Sequence, residues 1–117
     1  LNLGHTFGHA VEYEHKIPHG HAVMIGILYQ FIVANEILGT NYDVQHFIQY
    51  MQRLDYPLDI ISQLNFDDTY RFMLLDKKNN KEGIQMVLLQ DWGKPTVVHV
   101  DKATHIKAFH VLQSYIR

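Results

Sequence analysis

HGHAVMIGILYQFIVANEIL, residues 19–38, is the stretch of sequence that decides the fold of this chain. Between Ala22 and Ala34 it is apolar on every side of a helix, and only Gln30 breaks the run. A helix without a polar face is typical of the centre of a globular protein, because none of its sides favours water. The run is also shorter than the roughly 20 residues of a membrane span. We therefore predict a buried central helix that ends at Gly39.

Segments with a weaker hydrophobic periodicity, before and after this helix in the sequence, predict the rest of the fold. Asp43, Asp67 and Asp101 each precede an apolar periodic segment and are expected to cap three of the helices. The fold class is therefore predicted to be mainly α with one small β-hairpin, in a single domain over residues 1–117. In chain order, the predicted elements are helices over 3–15, 20–38, 43–56, 58–64 and 67–75, a polar loop over 76–83, strands over 84–89 and 96–100, and a final helix through Tyr115.

Two glycines interrupt the first predicted helix. Gly4 and Gly8 stand four residues apart, and each costs a helix interior about 1 kcal/mol relative to alanine. Such a pair indicates that something approaches the backbone closely. A ligand and a neighbouring helix both satisfy that requirement.

The composition narrows the class of protein. The chain has 117 residues, a formal charge of −2 and 47% hydrophobic residues, which is typical of a folded soluble domain. It has no long run of Lys or Arg to neutralise a phosphate backbone, so nucleic acid is not an expected partner. Because it has no cysteine, any metal ion must be bound by His, Asp or Glu.

Histidines are concentrated near the start of the chain. His5 and His9 lie one helical turn apart, and His19 stands at the predicted start of the central helix. Three neutral imidazoles suit a divalent ion such as zinc, but spacing alone leaves open which of them bind it. A His-Glu-x-x-His protease is disfavoured, since Thr6 stands where that motif needs its glutamate. Other histidines have no spaced partner and are expected to serve in packing or at the surface: His15, His46, His105 and His110. His99 lies among valines in the second predicted strand and is expected to be a packing or pairing residue.

A second polar cluster lies in the predicted loop. Lys77, Lys78 and Lys81 alternate with Asn79 and Asn80. These side chains suit a phosphate or carboxylate group, and they equally suit a loop that is only solvated.

Several motifs together resemble the 3-dehydroquinate synthases of the shikimate pathway. They are Leu1-Asn2-Leu3-Gly4-His5-Thr6-Phe7-Gly8-His9-Ala10-Val11-Glu12, then His19-Gly20-x-Ala22-Val23 with Gly26, and Asp76-Lys77-Lys78-Asn79 with Gly83 and Leu88. His21 gives the His-Gly-His of staphylococcal members, where most members have His-Gly-Glu. The resemblance implies the helical C-terminal domain of this fold, which holds metal and substrate. Since the chain opens within the first motif, we expect it to be part of a larger enzyme whose NAD-binding domain is absent here.

The resemblance also implies a role for individual residues. His5 and His19 would be metal ligands for zinc or cobalt, completed by an acidic ligand upstream, while His9 would transfer protons at the substrate. Asn2 and one of Lys77 and Lys78 would bind the substrate. NAD would be bound mainly by the other domain.

The implied activity is that of a metal- and NAD-dependent, phosphate-eliminating lyase. It would convert 3-deoxy-D-arabino-heptulosonate 7-phosphate, a small sugar acid phosphate, to 3-dehydroquinate plus phosphate in a cytoplasmic homodimer with no membrane or nucleic-acid partner. The isolated chain is expected to be inactive. The alternatives are another sugar phosphate cyclase, an iron-type alcohol or glycerol dehydrogenase, and a non-catalytic helical module for metal binding or dimerisation.

Overall fold

Helices dominate the computed structural model, which describes residues 3–75 and 83–116. The mainly α fold with one hairpin, predicted from the sequence, is confirmed. In chain order, the elements are α1 (His5–His15), α2 (His19–Ile37), α3 (Val44–Arg53), a 3₁₀-helix (Leu58–Gln63), α4 (Phe66–Leu74), β1 (Ile84–Asp91), β2 (Lys94–Val100) and α5 (Lys102–Ile116).

The α2 helix is the centre of the fold, as its sequence predicts. It packs against α1, α3, α5 and β1, and its buried residues run from Ala22 to Ala34. Among the described residues, α2 alone is long and apolar enough to cross a membrane by length and composition, but 56% of that apolar window is buried inside the protein. Leu38 ends the helix, and Gly39 follows with a φ of 70°, in the left-handed conformation that stops helices.

Glycines allow α1 and α2 to pack backbone against backbone. A Cβ on Gly26 of α2 would collide with the carbonyl oxygen of Gly4, and a Cβ on Gly8 would lie 2.7 Å from the carbonyl oxygen of Ala22. The group that approaches the first helix is therefore its neighbouring helix. This close packing brings the start of α2 next to the side chains of α1.

Side-chain caps begin three of the helices. Asp43 accepts a hydrogen bond from the His46 amide at 3.0 Å, and Asp101 accepts one from the Thr104 amide at 2.8 Å, as predicted. The predicted cap of α4 is wrong. Asn65 has the extended backbone of a cap and accepts from the Asp68 amide at 3.0 Å. Asp67 instead lies in the first turn, where its charge is favourable to the helix dipole.

The hairpin attaches to the central helix through Gln30. The strands are antiparallel, with Ile84 opposite Val100, and the inward face of β1 is buried. The Gln30 side chain accepts a hydrogen bond from the Leu89 amide at 3.0 Å. The one polar break in the apolar run is therefore the point at which α2 holds the sheet.

Buried aromatic rings connect α1, α2 and α5. Phe7 stacks on Tyr29 with ring centroids 3.8 Å apart, and the Tyr29 hydroxyl lies 2.7 Å from Nδ1 of His105. Both Tyr29 and His105 are fully buried, and Tyr70 of α4 packs edge-on against the His105 ring. We call these four residues the aromatic stack. Because Phe7 lies between His5 and His9, the aromatic stack supports the helix that carries them.

Candidate metal centre

Three histidine rings meet where α1 passes the first turn of α2. Lys16 takes a left-handed conformation with φ of 55°, and Pro18 precedes His19 as the N-cap, so the chain reverses within a few residues. The ring centroids are 4.9 Å apart for His5 and His9, 5.8 Å for His5 and His19, and 6.0 Å for His9 and His19. The helix spacing predicted the first pair. The tertiary packing brings in His19.

The His5 ring is oriented by the backbone that precedes α1. Its Nδ1 lies 3.1 Å from the carbonyl oxygen of Leu3, so Nδ1–H is the donor. In the neutral ring the proton on Nδ1 leaves a lone pair on Nε2, which is the form that binds a metal ion.

The His19 ring contacts a carboxylate. Its Nδ1 donates to Oε1 of Glu12 over 2.8 Å, from the first turn of α2 to the third turn of α1. No role was predicted for Glu12 from the sequence. Its position three residues after His9, on the same side of α1, is the signal that could have drawn attention to it.

Two sets of donors in this cluster could hold a divalent ion. In the first, His5 and His19 offer their Nε2 atoms. In the second, His9, Glu12 and His19 offer ligand atoms that all lie within 4.8 Å of one another. Neutral imidazole and carboxylate are the donors that zinc and cobalt accept, so the residues present fit such an ion.

Clefts open on both sides of His9. One, with a volume of about 750 Å³, is lined by His9, Glu12 and Lys16, and the other, of about 520 Å³, by His9, Phe72 and Leu75. His9 is exposed to solvent, so a small molecule in either cleft can reach its ring. Leu75 is the last described residue before the lysine cluster. Three residues expected at the substrate, Asn2, Lys77 and Lys78, lie outside the described residues.

The remaining histidines lie outside this cluster. His21 packs edge-on against Tyr56 at 5.2 Å, and His15 pairs with Glu14 at 3.3 Å. His105 belongs to the aromatic stack, where burial lowers its pKa to about 4 while the charge of Asp101 opposes that shift. His46, His99 and His110 are exposed.

Known proteins similar to this chain point to one family. The family model described as 3-dehydroquinate synthase C-terminal matches residues 1–79. The 3-dehydroquinate synthases of Staphylococcus epidermidis, Staphylococcus haemolyticus and Staphylococcus aureus are 72%, 64% and 57% identical to the chain over all 117 of its residues. The chain covers 33% of each of these relatives, so it spans about a third of their length.

Solved structures agree on the fold. A 2-deoxy-scyllo-inosose synthase complexed with carbaglucose-6-phosphate, NAD+ and Co2+ superimposes with a TM-score of 0.73 at 25% identity, covering 97% of this chain and 34% of that one. The sequence motifs, the family model and the staphylococcal relatives therefore lead to one conclusion: the chain belongs to the 3-dehydroquinate synthase family and corresponds to its C-terminal domain.

Proposed function

We propose that this chain is the metal- and substrate-binding part of a 3-dehydroquinate synthase, which converts 3-deoxy-D-arabino-heptulosonate 7-phosphate to 3-dehydroquinate plus phosphate. The observation that carries the proposal is the convergence of His5, His9 and His19 at the α1–α2 junction, with ring centroids no more than 6.0 Å apart. That convergence occurs in a chain whose relatives bear this enzyme's name.

His5 and His19 are the proposed ligands of a zinc or cobalt ion. Their Nδ1 atoms are engaged by Leu3 and Glu12, which supports binding through Nε2. When bound, the ion supplies Lewis acidity toward hydroxyl and carbonyl oxygens of the substrate. Two histidines are fewer than the three protein ligands of most catalytic sites, so an acidic ligand from the rest of the enzyme completes the set.

His9 is the proposed proton-transfer residue. Its exposed ring borders both clefts, and an imidazole gives and takes protons near neutral pH. Asn2 and one of Lys77 and Lys78 bind the polar groups of the substrate in this proposal.

The complete enzyme is proposed to be a cytoplasmic homodimer that uses NAD, with the dinucleotide bound mainly by the remaining two thirds. The related cyclase structure contains NAD+ and Co2+, which supports both cofactors. In this proposal the acidic ligand and the dinucleotide domain belong to the part of the relatives that the chain does not span, and the isolated chain is inactive. Measurable conversion of the heptulosonate phosphate by the isolated chain would contradict this.

The test is the metal content and turnover of a full-length synthase that carries this chain. His5→Ala and His19→Ala should each lose bound Co²⁺ and activity together, whereas His9→Ala should keep the ion and lose rate. His46→Ala is the matched control, because this exposed imidazole on α3 lies outside the cluster. Stoichiometric Co²⁺ in either ligand variant would contradict the assignment. Loss of Co²⁺ from His9→Ala would favour the set of His9, Glu12 and His19.

Another sugar phosphate cyclase activity is the second candidate, because one matching solved structure, at 25% identity, is a 2-deoxy-scyllo-inosose synthase. The staphylococcal synthases, in comparison, are 57–72% identical to the chain. Product analysis with each sugar phosphate separates the two candidates. Formation of an inosose, and not of dehydroquinate, would overturn the first proposal.

A further inference from the structure

Glu12 engages Nδ1 of His19 and so makes a direct polar contact between the two helices of the site. Its Oε1 accepts a hydrogen bond of 2.8 Å from Nδ1 of His19. We infer that Glu12 is a positioning residue, which holds His19 in the Nδ1–H tautomer with Nε2 free for the metal ion. The inference rests on the proposed function, since it takes His19 to be a metal ligand.

Solvent exposure explains why His19 needs such a partner. Its side chain is 58% exposed, and it stands on the first turn of α2, where no neighbouring turn restrains the ring. Glu12 is only 34% exposed and projects from the interior of α1, so it offers a fixed anchor. A carboxylate that accepts from a ligating imidazole sets its tautomer and orientation and makes the other nitrogen a stronger donor.

The two proposed ligands share this arrangement, and His9 does not. His5 donates from Nδ1 to the Leu3 carbonyl, and His19 donates from Nδ1 to Glu12. Within residues 3–75 and 83–116, no hydrogen bond to His9 is present. Two rings held at Nδ1, and one without a hydrogen bond among the described residues, match a division between ligands and a proton-transfer group.

The observed distance indicates that Oε1 of Glu12 and Nδ1 of His19 are joined by a hydrogen bond and do not share an ion. If Oε1 and Nδ1 both bound one tetrahedral ion at about 2.1 Å, they would stand roughly 3.4 Å apart. The distance of 2.8 Å instead equals that of a charge-assisted hydrogen bond. The contact is therefore complete without an ion between the two atoms.

The tautomer of His19 tests the inference without metal. Long-range ¹H–¹⁵N spectra of the metal-free chain above pH 8 should show Nδ1–H at His19 in the wild type and in Glu12→Gln, whose amide oxygen still accepts. Glu12→Ala should shift His19 toward the Nε2–H form that free imidazoles favour. Glu36→Ala is the matched control, since this carboxylate pairs with Lys107 near the other end of α2. An unchanged His19 tautomer in Glu12→Ala would overturn the inference.

Co²⁺ binding to the full-length synthase that carries the chain provides the second test. Glu12→Ala should weaken binding by about 10–100-fold and leave the positions of the visible Co²⁺ bands unchanged, and Glu12→Gln should recover most of that affinity. Shifted bands in either variant would show that Glu12 is a ligand and would overturn the inference.

The two proposals fail in different ways. Wild-type protein that binds no Co²⁺ would count against the metal site of the proposed function, while the metal-free tautomer measurement would still decide the role of Glu12.

Discussion

The α1–α2 junction and the aromatic stack both contain histidine, yet the two regions differ in how far they expose the imidazole to solvent. At the junction, His9 and His19 are exposed, and the ring nitrogens of His5 and His19 are oriented by single hydrogen bonds. In the aromatic stack, His105 is fully buried between aromatic rings, and desolvation lowers its pKa to about 4. Burial therefore makes His105 a neutral structural residue, whereas the rings of His9 and His19 are open to solvent.

The largest loss of stability is expected from a substitution in the aromatic stack. Tyr29→Ala removes the ring that stacks on Phe7 and the hydroxyl that contacts His105, and should lower the free energy of unfolding by about 3–5 kcal/mol. Urea denaturation measures this loss. Tyr50→Ala removes a ring that is 50% exposed and should cost far less. Similar losses for the two variants would mean that the aromatic stack is not the support we describe.

Acid should destabilise the fold through His105. Its pKa is about 4 in the fold and about 6.5 unfolded, so the unfolded chain binds the proton more readily. This contribution is fully present above pH 6.5 and is lost as pH falls from 6.5 to about 4, to a total of about 3 kcal/mol. Asp101 opposes the pKa shift, and the neighbouring Tyr29 and Tyr70 stay neutral throughout, because burial raises the pKa of both phenols.

The free energy of unfolding, measured across that pH range, should therefore decrease below pH 6.5. His105→Phe, which cannot be protonated, should flatten this part of the profile. If the free energy of unfolding of the variant depends on pH with the same slope as that of the wild type, groups other than His105 cause the acid sensitivity.

A smaller loss of stability is expected from a substitution where α1 and α2 pack closely. Gly26→Ala places a methyl group against Gly4 and should cost about 1–3 kcal/mol while moving α1 away from α2. Gly20→Ala lies in the same helix with nothing within 4 Å of the added Cβ, and should instead stabilise by up to about 1 kcal/mol. Thermal unfolding of the two variants measures the contrast. A neutral Gly26→Ala would contradict the close helix packing.

The smallest change in stability is expected at His9. The ring is exposed, so His9→Ala should alter the free energy of unfolding by less than about 0.5 kcal/mol. Denaturation of the variant beside the wild type measures it. A loss above 1 kcal/mol would show that His9 supports the fold, which would remove the contrast with His105.

Local sequence signals were sufficient for most of the helices and for the hairpin. Asp43 and Asp101 cap helices through amides three residues away, and Gly39 ends α2 by its own backbone conformation. These interactions join residues that are close in the sequence, so a sequence pattern can predict them. The error at α4 has the same origin, because Asn65 and Asp67 are both good capping residues and only the backbone shows which one has the extended conformation.

By itself, the sequence determined the mainly helical fold, the central position of α2 and the pairing of His5 with His9, since each follows from periodicity along one helix. The sequence also grouped His19 with that pair, but only the tertiary structure decided how close the three rings lie and that Glu12 contacts His19, because both depend on how two helices cross. The role of His105 was decided in the same way. Its partner Tyr29 lies 76 residues earlier in the chain, and its burial depends on packing that no local spacing can encode.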